Sequence, residues 1–150
     1  MRVGSIAHLA RRFVGSLSRR EPLAADVAWA HQHLLPSEAA LWDRMAVQDR
    51  RHSLLVARRF VERLPDATRH EAAAALLHDV GKLQAGLGTL GRVLATVVGP
   101  RGTRFRAYHD HERLGAELLA EAGSDPGTVG LVQGSGRPEA VAALAAADHV

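Results

Sequence analysis

Apolar residues recur along this chain at helical spacing, and no alternation of period two lasts long enough to suggest a sheet. Residues 5–19 place Ile6, Leu9, Phe13 and Leu17 on one face, with Arg11, Arg12 and Arg19 mostly elsewhere. That pattern predicts a helix packed on the domain surface; the alternative is a basic amphipathic segment resting on an anionic membrane. Pro22 and Pro36 read as first-turn prolines of two short helices, the second being PSEAALWDRM. Trp29, Leu41 and Trp42 are candidate core anchors. Asp49 reads as the N-cap of a helix running through Val61 and Leu64 to a stop at Pro65. Asp66 can cap the next, alanine-rich helix, which ends at His78–Asp79–Val80 with Gly81 as its exit. LGTLGRVLATVV is a further helix, GPRGTRF a loop, and a helix follows from about Tyr108 to Ala122, ended by Gly123. Pro126 opens a short segment, QGSGRP is a turn, and PEAVAALAAADHV is the last helix.

Composition agrees with an all-α fold. Of 150 residues, 47% are hydrophobic but only 4% aromatic, so Ala, Leu and Val carry the packing. Alanine favours helix and lets helices approach closely. The length suits one domain with a continuous core, and neither an internal repeat nor an interdomain linker is visible. There is no cysteine, which removes disulfides and thiolate metal sites. No apolar run is long enough for a transmembrane helix, and the N-terminal stretch lacks the apolar core and cleavage site of a secretory signal. The expectation is a cytoplasmic protein. The formal charge of +3, from 19 basic against 16 acidic side chains, is too mild for a dedicated DNA binder but compatible with an arginine-lined phosphate pocket.

Nine histidines are many for this length, and helical phase sorts them. His52 shares a stripe with Leu55 and Val56, with Arg59 further along. His111 lies in line with Tyr108, Leu114, Gly115, Leu118 and Ala122, whereas His109 falls with Arg113 and Glu117 and faces water. Val141, Leu144 and Ala145 form a stripe that continues to Asp148, and His149 sits off it. His8, His31, His33 and His70 read as exposed or locally hydrogen-bonded. An ionised carboxylate on an apolar stripe is costly unless paired or bound to a metal. Three helices thus aim His52, His111 and Asp148 inward, and a fourth ends in His78–Asp79. Adjacent helical residues diverge by about 100°, so both reach one ion only near a helix end or in a crowded bundle. Imidazole and carboxylate donors suit Mn, Fe, Zn, Co or Ni better than Ca.

These residues resemble the HD-domain superfamily of metal-dependent phosphohydrolases, whose pattern is a helix histidine, then His-Asp, then a distant aspartate. Here the series reads His52 in RRHSLLVARR, His78 and Asp79 in LLHDVGK, and Asp148 in LAAADHV. HERLGAELLAEAG is similar to the HPxxGAxLL helix of the superfamily, with His111 at its histidine. The resemblance runs from about Asp49 to the end. It implies a single-domain helical bundle, with residues 1–48 as N-terminal helices packed on a 49–150 HD domain. It also implies metal ligation by His52, His78, Asp79 and Asp148. Members with two metals carry further histidines where this chain reads LVQGSGRPEAV, so one metal is expected, and no GYP-type motif is present.

The activity implied is hydrolysis of a small phosphoester such as a nucleotide. Two His and two Asp ligands leave positions open for water and a substrate oxygen. Lys82 is placed to neutralise phosphate charge, and Arg59 or Arg51 could clamp the leaving group. Asp79 and His111 complete the candidate catalytic set, His111 as substrate contact, proton donor or weak fifth ligand. Asp49, one turn before His52, is a candidate partner for its imidazole. Two alternatives remain: a degenerate HD domain that binds a nucleotide or protein without hydrolysis, and an oxygen-using iron protein, which needs the missing histidines.

Overall fold

A computed structural model describes residues 20–83 and 101–149. Residues 5–19, the LGTLGRVLATVV helix, Gly99 and Pro100 of the GPRGTRF loop, and the His8 and His109 side chains lie outside the described part. Among the described residues there are seven α-helices, one 3-10 turn and no strand. The helices are α1 (Ala24–Gln32), α2 (Pro36–Arg44), α3 (Val47–Arg63), α4 (Arg69–Leu77), α5 (Arg101–Glu121), α6 (Pro126–Val132) and α7 (Pro138–Asp148), and the 3-10 turn Val80–Leu83 follows α4. The all-α expectation holds.

Helix α4 is the centre of the bundle. Every residue from Glu71 to Leu77 is buried, as expected of a helix that is apolar all round. Its alanines let α3 pack on one side and α6 on another, while α7 lies along α3 and α5 packs on α6 and the 3-10 turn. Helix α3 contributes Leu54, Val56, Ala57 and Phe60 at helical spacing. Trp42 is fully buried, and its indole Nε1 donates to Ser53 Oγ at 2.9 Å, so the large ring brings no unpaired donor into the core. Leu41 joins it there and Trp29 packs at the margin. Ala30, Leu34 and Met45 share the same cluster, so α1 and α2 are continuous with the bundle.

Several local expectations are corrected. Pro22 precedes the N-cap of α1, Leu23, rather than sitting in its first turn; Pro36 does open α2. Helix α3 starts at Val47, which puts Asp49 inside its first turn and not at the cap. Thr68, not Asp66, caps α4: its hydroxyl accepts from Glu71 N–H at 3.3 Å and its own N–H donates to Glu71 Oε1 at 2.9 Å. Asp66 is instead held by Arg137. The GPRGTRF segment is helical from Arg101; arginines are good helix formers, and one internal glycine costs only about 1 kcal/mol. Leu55 is exposed and Ala145 faces out, because the buried stripes centre on Ser53, Leu54, Val56 and Ala57 in α3 and on Ala140, Ala143 and Ala147 in α7.

Glycines follow two of the helices, α5 and α6, where the sequence suggests them. Gly123 follows α5 with φ 81°, and Ser124 N–H donates back to Leu119 O at 2.9 Å, a left-handed C-terminal turn. Gly134 (φ 85°) and Gly136 (φ 149°) make the QGSGRP turn between α6 and α7.

Candidate metal centre

The α4 helix stops at Leu77, and His78 leaves it still in right-handed conformation. Gly81 does not act as a left-handed exit, since its φ is not positive. Its role is close approach: a Cβ there would run into the backbone carbonyl of His111 and stand 2.8 Å from Gly115 N. Gly81 and Gly115 therefore let the 3-10 turn rest directly on α5. This contact fixes where His78 and Asp79 point as the chain leaves the core.

Three ligand atoms, one each from His52, His78 and Asp148, lie within 4.8 Å of one another. They come from α3, the end of α4 and the last residue of α7. His52 Nε2 lies 3.0 Å from Asp148 Oδ1, and His78 Nε2 lies 3.4 Å from the same oxygen. Asp79 stands beside this group, its Oδ2 3.5 Å from His78 Nε2. Two donors on one ion at about 2.1 Å are separated by roughly 3.0–3.4 Å at octahedral or tetrahedral angles. The His52–Asp148 and His78–Asp148 spacings fall in that range, while Asp79, expected as a fourth ligand, lies outside the group of three.

The state of His78 tests the fit more sharply. Its Nδ1 lies 2.7 Å from Ala75 O, and a carbonyl only accepts, so Nδ1 carries the proton. In a neutral ring Nε2 then bears a lone pair. That atom is buried, without an aligned hydrogen bond, and it faces carboxylate oxygens at 3.4 and 3.5 Å. A lone pair opposed to two anions needs a cation between them. Without a metal, a proton fills that role. Burial pushes the imidazole pKa down, but the Asp148 and Asp79 carboxylates and the Ala75 carbonyl override it and raise it to about 9. Asp148 is driven far below the usual carboxylate range by His52 and His78 against the cost of burial. Burial likewise raises Asp79, yet the charges of His78, Lys82 and His52 bring it below its ordinary value.

The other candidate residues are distributed around this group. Lys82 Nζ sits 3.0 Å from Asp79 Oδ2 and 3.4 Å from Asp49 Oδ1; it is held by two carboxylates. Asp49, considered as a partner for His52, thus reaches Lys82. His111 is half-buried on α5 and not among the three clustered residues. Arg51 donates to Arg20 O at 3.4 Å and lines a cavity of about 380 Å³ with Arg20, Leu23 and Arg58, which none of the clustered ligands lines. Arg59 is half-buried on α3. His31 pairs with Asp43 at 2.8 Å, His33 Nδ1 with Trp29 O at 2.8 Å, and His70 Nδ1 with Thr68 Oγ1 at 3.2 Å. His149 is exposed.

One supporting group was not anticipated. Arg137, just before α7, grips Glu71 through Nε and Nη2 at 2.8 and 3.0 Å and Asp66 at 3.1 and 3.2 Å. This fork ties the start of α7 to the start of α4, which directs the far end of α7, Asp148, toward His78. The Thr68–Glu71 capping spacing was the available signal; nothing marked Arg137 as its partner.

A family model described as the HD domain matches residues 50–150. Together with the helical bundle and the His/Asp cluster, this defines the class of protein. The chain belongs to the HD-domain family. Comparison with curated proteins and with solved structures returned no match. No helix among the described residues is long and apolar enough to cross a membrane.

Proposed function

We propose that this protein is a metal-dependent phosphohydrolase acting on a small phosphoester of the nucleotide class. It holds one divalent transition ion through His52, His78, Asp79 and Asp148. The observation that carries this reading is the Nε2 of His78, buried, without an aligned hydrogen bond and facing two carboxylates. Histidine and carboxylate donors without thiolate favour Mn, Fe, Zn, Co or Ni. When bound, such an ion supplies Lewis acidity toward a phosphoryl oxygen and acidifies water.

The chain's own residues do the rest. His52 and His78 present neutral ring nitrogens, and Asp79 and Asp148 offset the ion's charge. Lys82 swings from its carboxylates to the phosphoryl oxygens as negative charge grows there. His111, on the helix that carries the Gly81 contact, is assigned the proton for the leaving oxygen. Arg59 and Arg51 are assigned to the distal part of the substrate. The stretch from Leu131 to Val141 contains no histidine, which supports one ion rather than two.

A second reading is a binding module without turnover, favoured by the double carboxylate clamp on Lys82. Metal analysis of the purified protein followed by a phosphoester screen with Mn, Ni or Co separates the two. Hydrolysis that disappears in His78→Ala supports the enzyme. Tight nucleotide binding with no turnover under any metal supports the module.

A further inference from the structure

Asp79 Oδ2 carries two claims. It is the carboxylate oxygen that lies 3.5 Å from His78 Nε2, so it is the one an ion bound to His78 would share. It is also the oxygen that Lys82 Nζ contacts at 3.0 Å. An ammonium and a divalent cation on one oxygen repel each other, and the repulsion is weakly screened where the groups are mostly buried. Lys82 and Asp79 side chains are only 23% and 22% exposed.

Asp49 resolves the conflict. It comes from a different helix, its residue is 8% exposed, and its Oδ1 stands 3.4 Å from the same Nζ. It lies in the first turn of α3, where an acidic side chain meets the positive backbone N–H groups of the helix start. A buried ammonium that left Asp79 without another anion nearby would be stranded. With Asp49 in reach, it need not be.

We infer that Asp49 is a positioning residue: it draws Lys82 away from Asp79 Oδ2 so that this oxygen is released to the metal. The inference rests on the metal-binding reading proposed above, and concerns a residue that reading does not use as a ligand. Its consequence is that Asp49 controls metal affinity through Lys82.

The test is a double-mutant cycle read by calorimetric titration of the metal-stripped protein with Mn(II) or Ni(II). Asp49→Asn leaves Lys82 with Asp79 alone and lowers metal affinity about tenfold or more. In a Lys82→Met background the competitor is gone, so Asp49→Asn changes affinity by less than about threefold. A through-space charge effect or a merely structural role would give the same loss in both backgrounds, and that result overturns the inference. Wild-type affinity in Asp49→Asn also overturns it. If Asp49→Asn does not fold, Lys82→Arg carries the test. Its planar fork holds carboxylates more persistently, so metal affinity falls in Lys82→Arg but not in Lys82→Met; equal affinities refute the competition. A wild-type protein that binds neither ion overturns both this inference and the proposed function. Metal binding with no coupling overturns the inference alone.

Discussion

His78 Nε2 and Asp148 Oδ1 stand 3.4 Å apart, joining the C-terminal ends of two helices far apart in sequence. Neither end is a natural place for an anion, because the unpaired carbonyls of a helix C-terminus are negative. Asp148, the last residue of α7, is held there by two imidazoles. A carboxylate kept in an unfavourable field by histidines from α3 and α4 is an arrangement that a bound cation relieves.

The first prediction concerns stoichiometry and ligands. Elemental analysis should find one transition-metal ion per chain. His78→Ala and Asp148→Ala should each abolish retention through desalting, since each removes a donor from the cluster. His149→Ala and His31→Ala should retain the ion, as His149 is exposed and His31 is engaged with Asp43. Two ions per chain, or equal losses in His149→Ala, would refute the assignment.

The second concerns Gly81. Its Cβ position is occupied by the His111 carbonyl, which is backbone and has little room to yield. Gly81→Ala should destabilise the protein by about 3 kcal/mol or prevent folding, at or beyond the usual upper range for overpacking. Gly130→Ala is the control: its Cβ would meet Ser135 only at 3.6 Å, and alanine inside α6 should be neutral or stabilising by about 0.5–1 kcal/mol. Thermal denaturation of the two variants reads the contrast.

Much of the centre could be read from the sequence. The His78–Asp79 pair fell at the end of an apolar helix, and periodicity brought His52 and Asp148 to faces adjoining the core. Helical phase gave the general direction but not its exact angle. It put Leu55 and Ala145 inside when they lie outside, because one residue's error rotates a stripe by about 100°. Close backbone approach was harder to see. Gly81 looked like a turn residue, and only the position of α5 shows that it is a contact. The partners of charged residues were hardest. Asp49 and Asp66 were both assigned to helix caps, yet each answers to a cation distant in sequence, Lys82 and Arg137. Long-range ion pairs leave no periodic trace.

The third prediction follows from that Arg137 fork. Arg137, then the Thr68 N–H and hydroxyl, hold the Glu71 carboxyl down at about 2 from an ordinary 4.5, against the opposing effect of burial. A depressed carboxylate pKa contributes stability that is fully present above 4.5 and is lost as pH falls toward 2. The contribution is of the order of 1–3 kcal/mol, since the Arg137 guanidinium that lowers it is partly open to solvent. Glu71→Gln should cost about that much at pH 7, where Arg137 keeps only Asp66 as a charged partner. It should also flatten the decline in stability between pH 4.5 and 2 relative to wild type. Urea denaturation at stepped pH measures both, and parallel acid limbs in the two proteins would exclude the linkage.

The last prediction tests the chemistry assigned to Lys82. Its ammonium is bound by Asp79 and Asp49 in the resting protein, so it lies next to the carboxylate that faces His78. If it meets the phosphoryl group during turnover, Lys82→Ala keeps the metal, because no donor is lost. Removing a competitor for Asp79 Oδ2 can only favour the ion. Turnover should nevertheless fall by about 10²–10³, the scale of losing one preorganised charge contact. A lysine that merely ties the 3-10 turn to α3 makes the opposite forecast: a small loss of stability and unchanged turnover. The measurement is a phosphoester assay on wild type and Lys82→Ala at matched metal occupancy, with melting temperatures recorded for both. Equal rates would remove Lys82 from the reaction and leave it a purely structural cation between α3 and the end of α4.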